Sequence, residues 1–450
     1  MTPAREPFSV AIVGAGLTGL TAAWRLQSAG LRVKVFEKAD VAGGRTMSIR
    51  KDGFVFDVGA ITMLPTYAVT CALIAELGIS AHLHKMQPLI GIPRNGRIHR
   101  LDLSRPVRSL LATKLISFGA KLRLLKLLVP MLRSWNRSNY QSLSPLAEWD
   151  GETIASYVKR ELGDEINEYI AGPIIRGNTL NSTSNAPIGE LLWMLRQYAA
   201  PYVYGFDRGI NFLAETLSTR LPVEYRMQVQ SVSKQHGKVR VAGQGPQGGF
   251  SESFDACIIA LPPPALLELA PNLGDKQRRF LHSAKPLRSV NVHLGLRRPP
   301  PISETFVLPP ESEHRDLTTI VMDHLKAPGR APAGKAVVSL FFREEWSAAN
   351  FERPDPEILN EALRMARGFI GDVSADVETY VVQRWPYAII RSERGLYQRI
   401  RDYESEIDES DCVQFGSDFL SMGMEAAVSS GKLLAERIQR LGVTAGAVDK

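Results

Sequence analysis

An apolar run ending at Val13 leads directly into Gly14, Gly16 and Gly19, a G-x-G-x-x-G turn, and the turn opens a helix carrying Leu20, Ala23 and Leu26. Few sequence features restrict a fold as strongly, because strand, turn, helix and a following strand must come together as one βαβ unit. Gly14 permits the tight turn, Gly16 lets the backbone approach a pyrophosphate, and Gly19 lets helix and strand pack closely, while the helix N-terminus supplies amides and a positive dipole. The second strand, in "RVKVFEK", ends at Glu37, 23 residues after Gly14. An acid there is placed to accept hydrogen bonds from adenosine ribose hydroxyls and disfavours a 2′-phosphate. Strand, helix, strand and acid in this order predict a Rossmann-type unit, although the motif alone does not separate FAD from NAD.

From about Leu73 to Tyr204 the periodicity is mostly helical, as in "TIASYVKRELGDEINEYIAGPI", where apolar residues recur three to four apart. Strand signals return in "VEYRMQVQSVSKQHGKVRVAG", whose Gly-rich continuation punctuates a β-meander, and in "DACIIALPPP", where prolines end the strand. "RSVNVHLGL", "AVVSLFF" and "VETYVVQRW" are further strands, and the chain closes with "CVQFGSDF" and a helix from Gly423 to about Leu441. The expected fold class is α/β. A Rossmann-type nucleotide-binding domain is assembled from the discontinuous segments 1–72, 205–284 and 396–450. A mixed α+β substrate domain is made of a helical insert, 73–204, and a sheet, 285–395.

At 450 residues, 44% of them apolar, the chain has ample material for two domains. Its 54 Lys and Arg exceed its 47 Asp and Glu by only 7 and are spread along the sequence, so a nucleic-acid partner is not indicated. Cys71, Cys257 and Cys412 are far apart and lack ligand spacing, which argues against a disulfide framework or a zinc site and fits a reducing compartment. "HLH" at His82 to His84 has no evident third ligand, so no metal is expected. "MTPAREPFS" is too short and polar for a signal peptide, and no apolar stretch reaches the ~20 residues of a spanning helix, so the expected location is cytoplasmic. Val107 to Trp135 interleaves leucines with Lys and Arg. Because Lys121, Arg123 and Lys126 do not share one helical face, this stretch reads as a buried helix pair, with Leu115, Phe118 and Leu122 lining a cavity; peripheral membrane association is the alternative.

"EKADVAGGRTMS", with Gly43, Gly44 and Arg45, and "FVFDVGA", with Asp57 and Gly59, resemble the FAD-binding fingerprint of the flavin amine oxidase, protoporphyrinogen oxidase and phytoene desaturase superfamily. The resemblance extends over most of the chain, through "GFDRGINFLAETLSTRL", "DACIIALPPPALLEL" and the closing "VQFGSDFLSMGMEAAVSSGKLLAERI". It implies noncovalent FAD held by Gly14, Gly16, Leu17, Thr18, Gly19, Glu37, Lys38, Gly43, Gly44, Arg45, Gly59, Ala60, Ile61, Thr62, Val229, Gly416, Asp418, Gly423 and Met424. In such proteins Val229 would offer backbone bonds to adenine and Asp418 would reach the ribityl or pyrophosphate portion. The helix at Met424 would point its N-terminus at the flavin pyrimidine. Arg45 would neutralise phosphate or organise its turn by charge-assisted hydrogen bonds.

Flavin oxidation asks little of protein acids, because the isoalloxazine takes the hydride itself. Family members that oxidise amines carry a lysine near flavin N5 and two aromatic residues around the substrate nitrogen. Here Val292 stands near the lysine position and Gly423 near that of one tyrosine, which argues against a typical amine oxidase. "YVKRELGDEINEYIAGPIIRG" and "SFGAKLRLLKLL" resemble the protoporphyrinogen oxidase branch, and imply dehydrogenation of a bulky hydrophobic small molecule, tetrapyrrole- or isoprenoid-like. Asn291 and His293 are candidate polar contacts on one strand. An amine oxidase with a rebuilt site and a flavin-dependent isomerase without net redox change stay open, and the electron acceptor leaves no readable motif.

Overall fold

The computed structural model describes residues 7–447 apart from 138, 199 and 272; residues 1–6, which belong to the segment read against a signal peptide, lie outside the described residues. The βαβ expectation is realised in a five-stranded parallel sheet ordered Val413–Phe415, Ala256–Ile259, Ser9–Val13, Arg32–Phe36, Val223–Glu224. Every residue of Ser9–Val13 is buried, as befits a central parallel strand covered on both faces. Its side chains alternate between two cores. Val10 and Ile12 lie with helices Leu17–Ser28 and Met424–Ala447, whereas Ala11 and Val13 share the core of the meander Gln228–Gln235, Lys238–Gly245, Gly248–Phe254.

A second sheet runs Val377–Ile390, Pro286–Leu296, Ala336–Phe342, Leu317–Met322, Phe306–Val307, Leu89–Arg94, Arg97–Asp102. It is antiparallel except where Phe306–Val307 meets Leu89–Arg94. Helices Glu344–Ala349 and Asp355–Ile370 cover one face through Val290, Val292, Leu294, Val338 and Leu340. Ser289, Asn291, His293, Ser339 and Phe341 alternate with these residues and so belong to the other face.

One expectation is refined here and one is corrected. The stretch 73–204 is not helical throughout, since it contributes Leu83–Met86, Leu89–Arg94 and Arg97–Asp102. The last two form a hairpin whose turn residues Asn95 and Gly96 have φ of 52° and 71°. Asn-Gly with both φ positive is the two-residue turn whose twist matches that of the strands, so the signal was in the sequence.

The stretch Val107 to Trp135 is not a buried helix pair. It forms the short helices Pro106–Ala112, Phe118–Leu124 and Leu128–Trp135. Leu115 enters the core, but Phe118 and Leu132 are 73% and 74% exposed, and Val107, Leu111, Leu122 and Leu125 lie open beside them. Among the described residues, only Val41 and Leu325 are exposed large hydrophobics outside this stretch. A single-helix face count does not apply to three short pieces. Lys121 turns back to donate to the Leu111 and Thr113 carbonyls, and Arg123 to that of Leu162, which leaves the apolar side chains pointing outward. Among the described residues, no helix is long and apolar enough to cross a membrane.

Candidate active site

A cavity of about 930 Å³ runs between the parallel sheet and the seven-stranded sheet, and it is lined by every expected cofactor residue except Gly19 and Gly416. Gly19 acts from behind: a Cβ there would lie 1.9 Å from the Gly14 carbonyl oxygen, so helix and strand meet at this distance only over glycine. A Cβ on Gly416 would contact Ser430 and Leu434 of the closing helix instead.

At the nucleotide end, Glu37 accepts the Ala15 N–H at 2.7 Å through one oxygen and the Ala39 N–H at 2.9 Å through the other. Each oxygen keeps a further lone pair for a ribose hydroxyl. Val229 sits at a bulge in Gln228–Gln235, the edge strand of its sheet, so backbone groups on its outer side have no ladder partner. Helix Leu17–Ser28 lacks a side-chain cap, which leaves the amides of Leu17 and Thr18, both in the cavity wall, for an anion. An added Cβ on Gly16 would meet nothing within 4 Å, so the backbone there borders open space. An uncapped helix end, bare backbone and a carboxylate in this order fit the pyrophosphate and ribose of FAD.

Arg45 ties three distant segments together. It donates to Asp418 at 2.6 Å and to the Ala388 carbonyl at 3.1 Å, and its guanidinium lies 5.1 Å from the Tyr387 ring centre. Asp418 thus lines the cavity while paired with Arg45.

Away from the nucleotide the wall changes character. Helix Ile188–Gln197 supplies Trp193, Met194 and Gln197, and the seven-stranded sheet supplies Ile90, Asn291, Phe306 and Phe341. The charged lining residues are Glu37, Lys38, Arg45, Glu268 and Asp418, all from segments of the nucleotide side.

Strand parity redistributes the residues expected on Pro286–Leu296. Val292 points into the helix-covered core, and Asn291 takes the cavity-facing position, its Oδ1 accepting the Ser289 hydroxyl at 2.7 Å. A bulge between Leu287 and Ser289 shifts the pairing of this strand. His293 is fully buried outside the cavity wall, with Nδ1 2.7 Å from Ser339 Oγ, and burial pushes its imidazole down to about 4. It therefore touches no substrate in this arrangement. Among the described residues, the one lysine in the wall is Lys38, next to Glu37.

The sequence reading did not single out the aromatic wall residues, Tyr67, Trp385 and Tyr387 among them. The Tyr67 hydroxyl lies 3.3 Å from where a Cβ on Gly423 would stand, and its ring meets Tyr140, which in turn meets Trp193. Trp385 donates to the Val58 carbonyl at 2.7 Å and Tyr387 stands beside Arg45. Burial pushes the Tyr67 and Tyr387 hydroxyls well above the ordinary phenol value, so both stay neutral donors. His82 and His84 share the Asp207 carboxylate at 3.1 and 3.3 Å. Among the described residues, no group of three His, Cys, Asp or Glu is disposed to hold a metal.

The family model described as flavin containing amine oxidoreductase matches residues 17–439. The mitochondrial protoporphyrinogen oxidase of Nicotiana tabacum is 34% identical over 170 residues, which are 37% of this chain and only 32% of that protein's length. The coproporphyrinogen III oxidase of Staphylococcus aureus is 21% identical over a 487-residue alignment covering 96% of this chain and 98% of that protein. The solved structure of cyclohexylamine oxidase from Brevibacterium oxydans shares the fold, with a TM-score of 0.75 at 16% identity over 97% of this chain and 99% of that one.

Proposed function

The chain belongs to the flavin containing amine oxidoreductase family, and from that premise we propose that it dehydrogenates a bulky hydrophobic small molecule, tetrapyrrole- or isoprenoid-like. FAD, when bound, supplies the hydride acceptor. Glu37 takes the adenosine ribose, the Gly16 to Thr18 backbone with Gly44 and Arg45 takes the pyrophosphate, and Gly59 to Thr62 with Met424 border the ring. The attachment is noncovalent, in keeping with a wall that contains no Cys or His among the described residues.

The distribution of charge along the cavity carries the substrate reading. Among the described residues, every charged wall residue comes from the segments 1–72, 205–284 and 396–450, and the rest of the wall is apolar or neutral. An ammonium ion would lose its hydration there without a counter-charge, whereas apolar surface gains ~25 cal/mol per Å² on entry. Asn291, Gln197 and Tyr67 are among the neutral polar groups that would orient such a substrate. The tobacco and staphylococcal relatives are named as oxidases of porphyrinogens, which supports the same class.

Anaerobic rapid mixing tests this reading, with flavin absorbance followed against small primary amines, a porphyrinogen and a polyene precursor. Bleaching by a large apolar substrate and not by the amines is expected. Fast bleaching by small amines alone would sink the proposal and favour the amine-oxidase alternative, and turnover without flavin reduction would favour an isomerase.

The exposed helices add a peripheral contact with an anionic lipid surface. From Leu103 to Ala147 the chain has eight Lys and Arg and no Asp or Glu, and the outward side chains there are large and apolar. That combination suits the boundary of an anionic bilayer. Helix Leu128–Trp135 packs on helix Ile188–Gln197, whose Trp193 and Met194 line the cavity, so the patch overlies the substrate end.

A further inference from the structure

Six polar side chains that the proposed chemistry does not use are buried in one connected line between the two sheets. Asp57, Asp323, Lys326 and Arg330 are 3%, 0%, 1% and 1% exposed, and Ser339 and His293 are fully buried. Lys326 Nζ stands 2.5 Å from Asp323 and 3.1 Å from Asp57, and Arg330 stands 2.6 Å from Asp57. The Ser339 hydroxyl bonds Asp323 and, at 2.7 Å, the His293 ring. Two carboxylates and two cations balance, with the imidazole held neutral by burial. Burial would push the Asp57 carboxyl up, but Arg330 and Lys326 outweigh it and hold it well below the usual carboxylate range.

Such a cluster is not an efficient way to stabilise a core, because apolar residues of similar volume often do as well. What it does locally is show a way out to the cavity. Lys326 Nζ also donates to the Ile61 carbonyl at 2.6 Å. The peptide unit is planar and trans, so a carbonyl drawn toward Lys326 turns the following amide, that of Thr62, the opposite way. Ile61 and Thr62 both line the cavity, and the Thr62 N–H has no hydrogen-bond partner among the described residues.

We propose that Lys326 is a positioning residue for the redox-active ring: held by Asp57 and Asp323, its ammonium fixes the Ile61–Thr62 peptide and presents the Thr62 N–H as a charge-reinforced donor to an acceptor atom of the flavin. This rests on the reading that Gly59 to Thr62 border the ring. A donor fixed before reduction costs no reorganisation, and hydrogen bonds in a low-dielectric chain polarise one another. An acceptor atom that gains negative charge on reduction is thereby stabilised in the reduced form, and the midpoint potential rises.

The test compares flavin midpoint potentials, by dye equilibration, in the FAD-loaded wild type and in Asp323→Asn/Lys326→Met. The double substitution removes one charge of each sign and leaves Asp57 with Arg330. The milder Asp323→Asn/Lys326→Gln serves if that variant does not fold. Ser339→Ala, which removes the Ser339 bonds to Asp323 and His293 but leaves the Lys326 contacts with Asp57, Asp323 and Ile61 in place, is the comparison. The double variant is expected to bind FAD with its potential lowered by a tenfold shift of the two-electron equilibrium, ~30 mV. Ser339→Ala is expected to match the wild type. An unchanged potential in the double variant, or equal shifts in both variants, would overturn the assignment. Failure of the wild type to take up FAD would overturn the cofactor reading and this inference with it, whereas uptake with equal potentials overturns the inference alone.

Discussion

Glu37 does two things with one carboxylate: it closes the glycine turn by accepting the Ala15 N–H and holds its own loop by accepting the Ala39 N–H, with lone pairs to spare for the ribose. Glu37→Gln replaces one acceptor with an NH2 group that faces a backbone donor. Hydrogen bonds to charged groups contribute ~1.5–3 kcal/mol, so FAD affinity is expected to fall on the order of tenfold to a hundredfold with the fold retained. Titration of apoprotein with FAD measures this, and an unchanged dissociation constant would remove Glu37 from the site. His293 carries a second prediction. Its folded value of about 4 lies below the ordinary 6.5, so the unfolded chain binds the proton more readily. The corresponding stability is complete above pH 6.5 and is lost as pH falls toward 4, on the order of 3 kcal/mol. Denaturant unfolding between pH 7 and 4 should show this slope in the wild type and a shallower one in His293→Gln; parallel slopes would exclude it. At this scale the sequence was most legible where backbone geometry demands one residue type, as at Gly14 and Gly19. It was silent on Tyr67, whose hydroxyl reaches the space beside Gly423 only because distant segments pack together.

Elements were legible wherever a period ran unbroken, as in Ser9–Val13 and in the meander of Gln228–Gln235 and its neighbours. Where the period breaks, a shift of one residue reverses every face. No such break intervenes along Pro286–Leu296, where plain alternation puts Val290, Val292 and Leu294 in the helix-covered core and Ser289 and Asn291 at the cavity, while the irregular pairing at Leu287 and Ser289 places its extra residues in the partner strand Val377–Ile390. The helices between Pro106 and Trp135 do show a break of period in α-structure, because seven- and eight-residue pieces set their own directions. Their exposed side chains yield a prediction that separates binding from folding. Burying one large apolar side chain in a lipid boundary contributes ~1.5–3 kcal/mol. Phe118→Glu/Leu132→Glu is therefore expected to reduce partition onto phosphatidylglycerol-containing vesicles by more than about tenfold. Substitutions this exposed should leave unfolding stability within about 0.5 kcal/mol per site. Cosedimentation measures the first and denaturant unfolding the second; equal vesicle binding by variant and wild type would exclude the lipid contact.

At the scale of the whole molecule, the cavity wall draws on the first βαβ unit, the meander, the long strand Val377–Ile390 and the closing segment at Asp418 to Met424. Arg45 bridges three of these parts, through Asp418 and the Ala388 carbonyl, and Trp385 to Val58, Thr70 to Glu425 and Lys34 to Glu252 add further direct joins. Joins of this kind cannot be read from local periodicity, because they depend on which surfaces face each other after the sheets have formed. The sequence showed the first nucleotide-side segment through its own motif and the others through the order of strand and helix signals, but, although it drew attention to Asp57 and His293, it did not show that they meet Lys326 in one cluster, whose members come from four separate elements and intervening turns. A cofactor lying along this seam would add to these joins, so its binding energy should appear as stability of the whole fold. A ligand that binds only the folded state adds about 2.7 kcal/mol at a hundred times its dissociation constant. Removing FAD is therefore expected to lower the melting temperature, and titrating it back should raise that temperature with the logarithm of free FAD while the transition stays single. Scanning calorimetry of stripped and reloaded protein provides the measurement. A melting temperature indifferent to FAD would mean that the cofactor does not span the seam, and a transition that splits in two on stripping would mean that the direct joins between the segments do not suffice to hold the two sheets as one unit.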